Sequence, residues 1–586
     1  MTSASTLVCV PIVVRDPESA LADARQAKAS GADLVEYRID QFFSGTAANT
    51  TDSPDGLAAE ERAILRLVAE SPLPCIVTCR PEGPEGGDYD GPDEARITLF
   101  ERLGTAFGPG EKPPRFIDVE LSTYERSPDI KQKIRLAVHH PEQVRDTQPS
   151  LVLSTHDFTG RPMDLTRRIL RMREEPGAAV CKVAYRCRSV RDNLELLELP
   201  AETGKPTIAV GIGEFGLLSR ILAPKFGGFL TFASLRPTSS TAPGQPTLRE
   251  LLCTYHFRSI RPTTAVYGVV GWPVEHSLSP LVHNAAFHTS GIDAVYVPIP
   301  IPPEYEHFKA TMTALIEHPR LDFHGCSVTI PHKENLYRFA LEQREKAQSA
   351  HGAIHPTVRW SIDASAAACG AANTLMIDRE PSPHGGSRAT GAMIANTDGS
   401  AAVECLKTRL GDLAPRRIAI IGAGGVARSI AAALMMADAA VVVANRTRNR
   451  ADLLASQLSE FVPKHYFGPG TIAAVDLADL ADMPLDAIVN CTPVGMTGGP
   501  DPDGVPINVC ELRGCTPETV VLDTVYNPII TPLLRHAEAA GLGTIDGVAM
   551  FVRQAAAQFE AWTGKPAPLG LFELITREAL TGPVPV

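Results

Sequence analysis

Lys182 sits inside the apolar run AAVCKVAY (178–185), where an ammonium is costly to bury. Burial lowers the pKa of an amine, and a neutral amine attacks ketones, so Lys182 is read as a Schiff-base nucleophile with a lowered pKa. The bland alternative is a lysine at a strand end whose ammonium reaches water along its own stem. His156, one apolar run earlier, is the base that would use an imine: the positive nitrogen acidifies the adjacent C–H, and a positioned histidine removes that proton. Arg38, Arg80 and Arg220 lie in the same half of the chain, so the chemistry that suits the set is carbonyl chemistry on a small anion.

Those residues need a scaffold that brings separate strands to one place. Eight short apolar runs alternate with helical stretches: LVCVPIVV, ADLVEYRID, PCIVTCR, RFIDVEL, SLVLSTHDF, AAVCKVAY, PTIAVGIG and GFLTFASL. Eight β/α units over roughly 250 residues predict a (β/α)8 TIM barrel. Continuously apolar runs are the mark of parallel strands covered on both faces. Polar residues gather at or just beyond the strand C-termini, namely Glu36, Arg38, Arg80, Glu85, His156, Arg220 and Gln245, and that rim is the active-site face of such a barrel.

EYRID, TCRPEGPEGG, STHDF, CKVAY, GLLSR and TAPGQ, in this order across about residues 7–250, resemble type I 3-dehydroquinate dehydratase. The resemblance implies an imine between Lys182 and 3-dehydroquinate. It implies that His156 removes a C2 proton and then protonates the departing C1 hydroxyl in a syn elimination, with Glu85 orienting His156. Glu36, Arg38, Arg80, Arg220 and Gln245 are implied to hold the carboxylate and hydroxyls. Thr241 stands where the family has serine before APGQ, keeping the hydroxyl and adding a methyl to the covering loop.

After a polar link, RSIRPTT (258–264), a second α/β unit begins. RRIAIIGAGGVARSIAAALMMA reads as strand, glycine turn and helix, with Gly422, Gly424 and Ala427 at dinucleotide-binding spacing and Gly425 opening the helix. Such a turn lets a pyrophosphate approach the helix N-terminus, where backbone amides attract it. The next strand ends in Asn445, Arg446 and Thr447 rather than in the Asp or Glu that grips a ribose hydroxyl, and Arg446 with Arg450 can meet a 2′-phosphate. The expected cofactor is therefore NADP, as NADPH, with no metal; exposed loop arginines are the alternative.

VEHSLSPLVHN, GCSVTIPHKE, GAANTL and ANTDG before this fold, and NCTPVGM, DTVYNP and GVAMFVRQA after it, resemble shikimate dehydrogenase across about residues 265–565. That resemblance implies Ser277 and Ser279 on the substrate carboxylate, Thr329, Asn373, Tyr526 and Gln554 on the hydroxyl-bearing face, Lys333 and Asp398 as the catalytic pair, and Gly547 beside the cofactor. Chemistry agrees, because hydride delivery to a ketone leaves an oxyanion and a lysine held by a carboxylate can protonate it. Ser327 stands where many relatives have asparagine. An insertion near 341–368 is expected to be helix and loop, and REPSPHGGSR (379–388) a flexible hairpin tip.

The expected domains are thus 1–257 (barrel), 265–400 completed by C-terminal helices 547–586 (substrate-binding), and 401–546 (Rossmann). A net charge of -12 argues against a nucleic-acid partner, and no apolar stretch is long enough for a membrane span. Twelve scattered cysteines without metal spacing, and an N-terminus that passes directly into a strand, point to the cytoplasm. Product of the first half is substrate of the second, so small molecules are the expected partners, and a raised local concentration is preferred to channelling. Oligomeric state is not legible. Rival readings are a class I aldolase for the barrel, a quinate dehydrogenase of quinate catabolism for the second half, and a non-catalytic metabolite-sensing regulator for the whole.

Overall fold

Eight strands of the N-terminal half lie in one parallel sheet in the order β7-β6-β5-β4-β3-β2-β1-β8 in the computed structural model. They are β1 Leu7–Val13, β2 Leu34–Arg38, β3 Cys75–Thr78, β4 Phe116–Glu120, β5 Ser150–Asp157, β6 Ala178–Arg186, β7 Thr207–Ile212 and β8 Leu230–Phe232. The Phe229 amide donates to Thr207 O at 2.8 Å, joining the first strand of that order to the last and bringing the sheet round into the expected barrel. The structure describes residues 5–43, 59–83, 86–107, 111–139, 148–349, 358–382, 385–414, 416–465 and 470–582.

Period-two alternation sorts the barrel strands. Cys9, Leu34, Ile76, Phe116, Val152, Val180, Ile208 and Leu230 form one apolar cluster inside. Two residues further along the same inward faces come Glu36, Thr78, Asp118, Ser154 and Lys182, and two further again Arg38, Arg80, Glu120 and His156. Apolar layers thus close the base of the barrel, and polar ones begin where the strands approach their C-termini.

The chain divides into two compact units between Thr264 and Ala265. In the second unit a mixed sheet has the order β10-β9-β11-β13-β14-β12. Its strands are β9 Ala265–Gly271, β10 Ala294–Pro300, β11 Phe323–Val328, β12 Arg359–Ile362, β13 Thr374–Pro381 and β14 Ser387–Ala395. The C-terminal helices Gly547–Thr563 and Leu569–Thr581 return to this sheet, packing Phe551, Phe559 and Phe572 against Tyr267, Phe287 and Tyr296.

An all-parallel sheet follows, in the order β17-β16-β15-β18-β19-β20, which is the doubly wound dinucleotide topology. Its strands are β15 Arg417–Ile421, β16 Ala440–Ala444, β17 Thr471–Val475, β18 Ala487–Asn490, β19 Val520–Asp523 and β20 Gly543–Ile545. Ile418 and Ile420 enter the core on one face, Ala419 and Ile421 the core on the other, so the central strand is apolar throughout.

Two local expectations differ. The insertion is not only helix and loop: the helix Lys333–Ser349 is followed by β12, which pairs parallel to β14 and sets Trp360 edge-on to Phe339 at 5.4 Å. Residues 350–357 of it lie outside the described set. The second insert is not merely a tip, because Arg379 donates to Ile316 O at 2.9 Å and to Ser387 O at 2.9 Å, fastening the β13–β14 hairpin to the helix before β11.

After β7 the chain turns through Gly213, whose φ of 92° favours glycine, into the short helix Leu217–Ile221 that carries Arg220. Gly211 and Gly216 touch backbone to backbone, and a Cβ on Gly216 would stand 2.4 Å from Gly211 C. We predict that Gly216→Ala destabilises the barrel unit by about 1–3 kcal/mol. Differential scanning calorimetry should show the first unit melting earlier; an unchanged transition contradicts this packing.

Candidate active sites

Inside the barrel, strands β2, β4 and β6 converge on one ammonium. Lys182 Nζ donates to Asp118 Oδ2 at 2.6 Å and to Glu36 Oε1 at 3.0 Å, while the Phe232 ring lies 4.7 Å away. All three ionic side chains are almost wholly buried. Burial alone would lower the lysine pKa, yet the two carboxylates overcome it and hold the pKa above its ordinary value. The expectation of a lowered pKa is therefore corrected: the resting group is an ammonium. Burial likewise pushes Glu36 up, but Lys182, Arg38 and Arg80 outweigh it and hold the carboxyl at about 2.

His156 stands one layer further out. Arg80 Nη2 donates to its Nε2 at 3.0 Å, and because a guanidinium cannot accept, Nε2 carries the lone pair. Nδ1 lies 2.8 Å from Glu120 Oε1, although off the line a hydrogen bond requires; Arg80 Nε also donates to that oxygen at 2.9 Å. Burial, then Arg80 and Lys182, keep the imidazole well below its ordinary pKa and hence neutral. Arg220 is the contrasting cation: its Nε donates to Gly211 O at 3.0 Å, no carboxylate of the described residues forms an ion pair with it, and burial lowers it to about 10.

The other residues expected at this rim divide. Arg38 is bound in a fork by Asp40, at 2.8 and 2.9 Å, and is therefore engaged within the protein. Gln245 Oε1 accepts from the Thr241 amide and hydroxyl at 3.2 and 3.3 Å, leaving its buried Nε2 without a partner. Glu85 lies outside the described residues. Asp118 and Glu120 were missed, though Asp-Val-Glu in RFIDVEL places two acids on one face of a strand, a signal present in the sequence.

In the second unit Lys333 Nζ donates to Asp398 Oδ2 at 2.5 Å. Asn373 Nδ2 holds the other oxygen of Asp398 at 2.9 Å, and Gln558 Nε2 donates to Asn373 O at 3.2 Å. The Ser279 amide donates to Ser277 Oγ at 3.3 Å at the start of the helix Ser279–Thr289. Ser327, the departure noted above, bonds the buried Tyr296 hydroxyl. Thr329 and Gln554 are half-buried, and Tyr526 rests on Phe551 with ring centroids 5.1 Å apart. Gln558 was not anticipated; it lies four residues from Gln554 on the same helix.

The glycine turn after β15 suits a dinucleotide. Gly422 has a φ of 115°, a Cβ on Gly424 or Gly425 would meet nothing within 4 Å, and Ala427, in the first turn of the helix Gly425–Met436, is fully buried. The open space around Gly424 and Gly425 leaves room for a pyrophosphate at that helix start. Asn445 Nδ2 donates to Thr447 O at 2.9 Å. Arg448 is taken by Asp452 and Asp476, whereas Arg446 and Arg450 are exposed and make no ion pair among the described residues. Gly547 allows close passage of Val525, whose carbonyl oxygen a Cβ would meet at 2.3 Å. Ser429, on the same helix, donates to Asn396 Oδ1 at 2.6 Å, and that oxygen also accepts from the Asp398 amide at 3.1 Å. This link between the glycine-turn helix and the Lys333–Asp398 pair was not read from the sequence.

Among the described residues no group of three or more His, Cys, Asp or Glu is placed to hold a metal ion, and no helix is long and apolar enough to cross a membrane.

Four family models match the chain: type I 3-dehydroquinase over residues 8–262, shikimate dehydrogenase substrate binding domain over 269–355, shikimate/quinate 5-dehydrogenase over 404–467, and shikimate 5′-dehydrogenase C-terminal domain over 547–573. The chloroplastic bifunctional 3-dehydroquinate dehydratase/shikimate dehydrogenase of Arabidopsis thaliana is 33% identical over 575 residues, covering 97% of this chain and 83% of that one. A shikimate dehydrogenase (NADP(+)) of Methanocella arvoryzae is 36% identical over 317 residues, 54% of this chain and 99% of its own. Among solved structures, the dehydroquinate dehydratase and shikimate dehydrogenase from S. pombe AroM is 22% identical with a TM-score of 0.41, covering 98% of this chain and 99% of that one.

His283 is buried among Tyr296, Trp562 and Phe572 with neither ring nitrogen bonded, and burial lowers its pKa to about 3. Above pH 6.5 it is neutral folded or unfolded; below, the unfolded chain takes a proton the folded one refuses, so stability falls as pH drops from about 6.5 toward 3. We predict that His283→Phe removes about 2 kcal/mol of the stability loss between pH 7 and pH 5. All three tryptophans lie in the second unit, so urea unfolding followed by their fluorescence reports it; equal pH dependence in both proteins contradicts a neutral His283.

Proposed function

The chain belongs to the bifunctional 3-dehydroquinate dehydratase/shikimate dehydrogenase family, and from that premise we propose the residues by which each half works. The protein dehydrates 3-dehydroquinate to 3-dehydroshikimate and reduces that product to shikimate. One observation carries the assignment of residues: each half holds a lysine against a carboxylate at its centre, Lys182 on Asp118 and Lys333 on Asp398.

In the barrel, Arg220 is the anchor for the substrate carboxylate, because a buried guanidinium without an internal anion gains most from an incoming one. Gln245 and Thr241 close over the ring, the unpartnered Gln245 Nε2 donating to a substrate oxygen. Glu36 and Arg80 complete the polar wall, and Arg38 acts through its fork with Asp40. Lys182 adds to the ketone and forms the imine. His156, neutral with its lone pair on Nε2, exchanges the Arg80 contact for the C2 proton and then passes that proton to the departing C1 hydroxyl. Glu120, beside Nδ1, is placed for the orienting role that the resemblance gives to Glu85.

In the second half, NADPH when bound supplies the hydride for the ring ketone. Gly422, Gly424, Gly425 and Ala427 would receive its pyrophosphate, Asn445, Arg446, Thr447 and Arg450 its adenosine 2′-phosphate, and Gly547 lies at the turn beside Tyr526. Lys333 gives its proton to the developing alkoxide, Asp398 aims the lysine through its 2.5 Å contact, and Asn373 fixes Asp398. Ser277 and Ser279 hold the carboxylate, with Thr329, Tyr526 and Gln554 on the hydroxyls. The twelve free cysteines and the acidic charge support a cytoplasmic protein that acts on small molecules without a metal.

We predict that borohydride with 3-dehydroquinate traps an adduct on Lys182, and that Lys182→Ala abolishes dehydration while sparing reduction of 3-dehydroshikimate. Peptide mass mapping decides, and an adduct on another lysine overturns the assignment. Arg446→Ala is expected to raise KM for NADPH at least tenfold and KM for NADH little; equal effects would contradict the 2′-phosphate role.

A further inference from the structure

Lys182 rests as an ammonium, and an ammonium cannot attack a ketone. Something beside it must take a proton before the imine forms and return one when water leaves. The polar groups around Nζ are the charged Glu36 from β2, Arg80 just past β3 and Asp118 from β4 and the neutral His156 from β5, with Phe232 closing the side toward β8.

They are not equivalent. Glu36 Oε1, which faces Nζ at 3.0 Å, already accepts from the Thr78 hydroxyl at 2.8 Å, and the cations Lys182, Arg38 and Arg80 keep the group ionised. Arg80 is a donor only. His156 Nε2 faces Arg80, and among the described residues Nζ makes no hydrogen bond to it. Asp118 differs on two counts: its Oδ2 is the nearest acceptor to Nζ, at 2.6 Å, and its buried Oδ1 accepts no hydrogen bond. The nearest oxygen to Nζ is thus on a carboxylate whose other oxygen is open to a further hydrogen bond. Two acids beside one amine thus have environments that separate their roles.

We propose that Asp118 is a catalytic residue of the dehydratase, taking a proton from Lys182 as the ketone arrives and returning it to the hydroxyl that leaves during imine formation. The proposal rests on the Schiff-base reading of Lys182. Proton transfer from Nζ to Oδ2 gives a neutral amine and a carboxylic acid. The nitrogen lone pair forms the N–C bond, the carbonyl π electrons move to oxygen, and a second proton passes from nitrogen to that oxygen to give the carbinolamine. Asp118 then protonates the hydroxyl, the C–O bond breaks, water departs, and the nitrogen lone pair makes C=N⁺. Lys182 has lost two protons to the water, Asp118 is a carboxylate again, and Glu36 stays ionised throughout as counter-ion to the iminium.

The test is rapid-quench borohydride trapping with 3-dehydroquinate on the full-length chain, read by peptide mass, in the wild type and in Asp118→Asn, Asp118→Glu and Glu36→Gln. Asp118→Asn should form the Lys182 adduct at least a hundredfold more slowly at pH 7. Asp118→Glu should recover at least tenfold over Asp118→Asn, which a merely structural aspartate would not show, and Glu36→Gln should be slowed less than Asp118→Asn. Trapping in Asp118→Asn within tenfold of wild type, no recovery in Asp118→Glu, or a larger defect in Glu36→Gln overturns the proposal. Absence of a Lys182 adduct in the wild type instead overturns the Schiff-base reading itself, so the two failures are distinct.

Discussion

A buried ammonium between two buried carboxylates is the constraint from which the barrel half follows. Removing such charges from water costs several kcal/mol per ion, and only close partners with good geometry offset it. The partners of Lys182 come from β2 and β4, 146 and 64 residues earlier in the chain, so the cluster exists only when those strands are in register. A slip of one residue in any of them turns its charge outward against the helices. The catalytic arrangement and the strand register are one requirement.

The same arrangement orders the site outward. Glu36, Asp118 and Lys182 occupy one polar layer, and Arg80, Glu120 and His156 the next, each linked within itself by charge-assisted contacts. Arg220, on a short helix past β7, forms no ion pair among the described residues, which is why it is proposed as the anchor for a substrate carboxylate. The second half uses its lysine differently. Lys333 has one carboxylate, and a series of amides runs through Asn373 to Gln558, while Asn396 and Ser429 reach the helix at the glycine turn. In the proposed mechanism the barrel lysine sheds its proton to act as nucleophile, whereas this one is the proton donor to an oxyanion.

Much of this was legible in the sequence because the decisive signals are local. Continuously apolar runs between helical stretches gave eight strands, the glycine turn gave the dinucleotide fold, and polar residues at run ends gave the rim. The most consequential failure was non-local. The sign of the Lys182 shift depends on two acids far away in the chain, and an apolar run around a lysine says nothing of them. Asp118 and Glu120 were readable by alternation in FIDVE but overlooked beside the stronger histidine and arginine signals. β12 is four residues long, too short for periodicity to distinguish it from loop. The fork between Arg38 and Asp40, two residues on, was not readable because it is a matter of rotamer rather than of sequence.

The protonation state of Lys182 is thus the centre of the account, since it sets the need for a proton acceptor and fixes the register of three strands. Neutron diffraction on deuterium-exchanged crystals of the ligand-free enzyme reads it directly. A fully deuterated ammonium at Lys182 beside a deprotonated Glu36 is the predicted result; a neutral amine would contradict it.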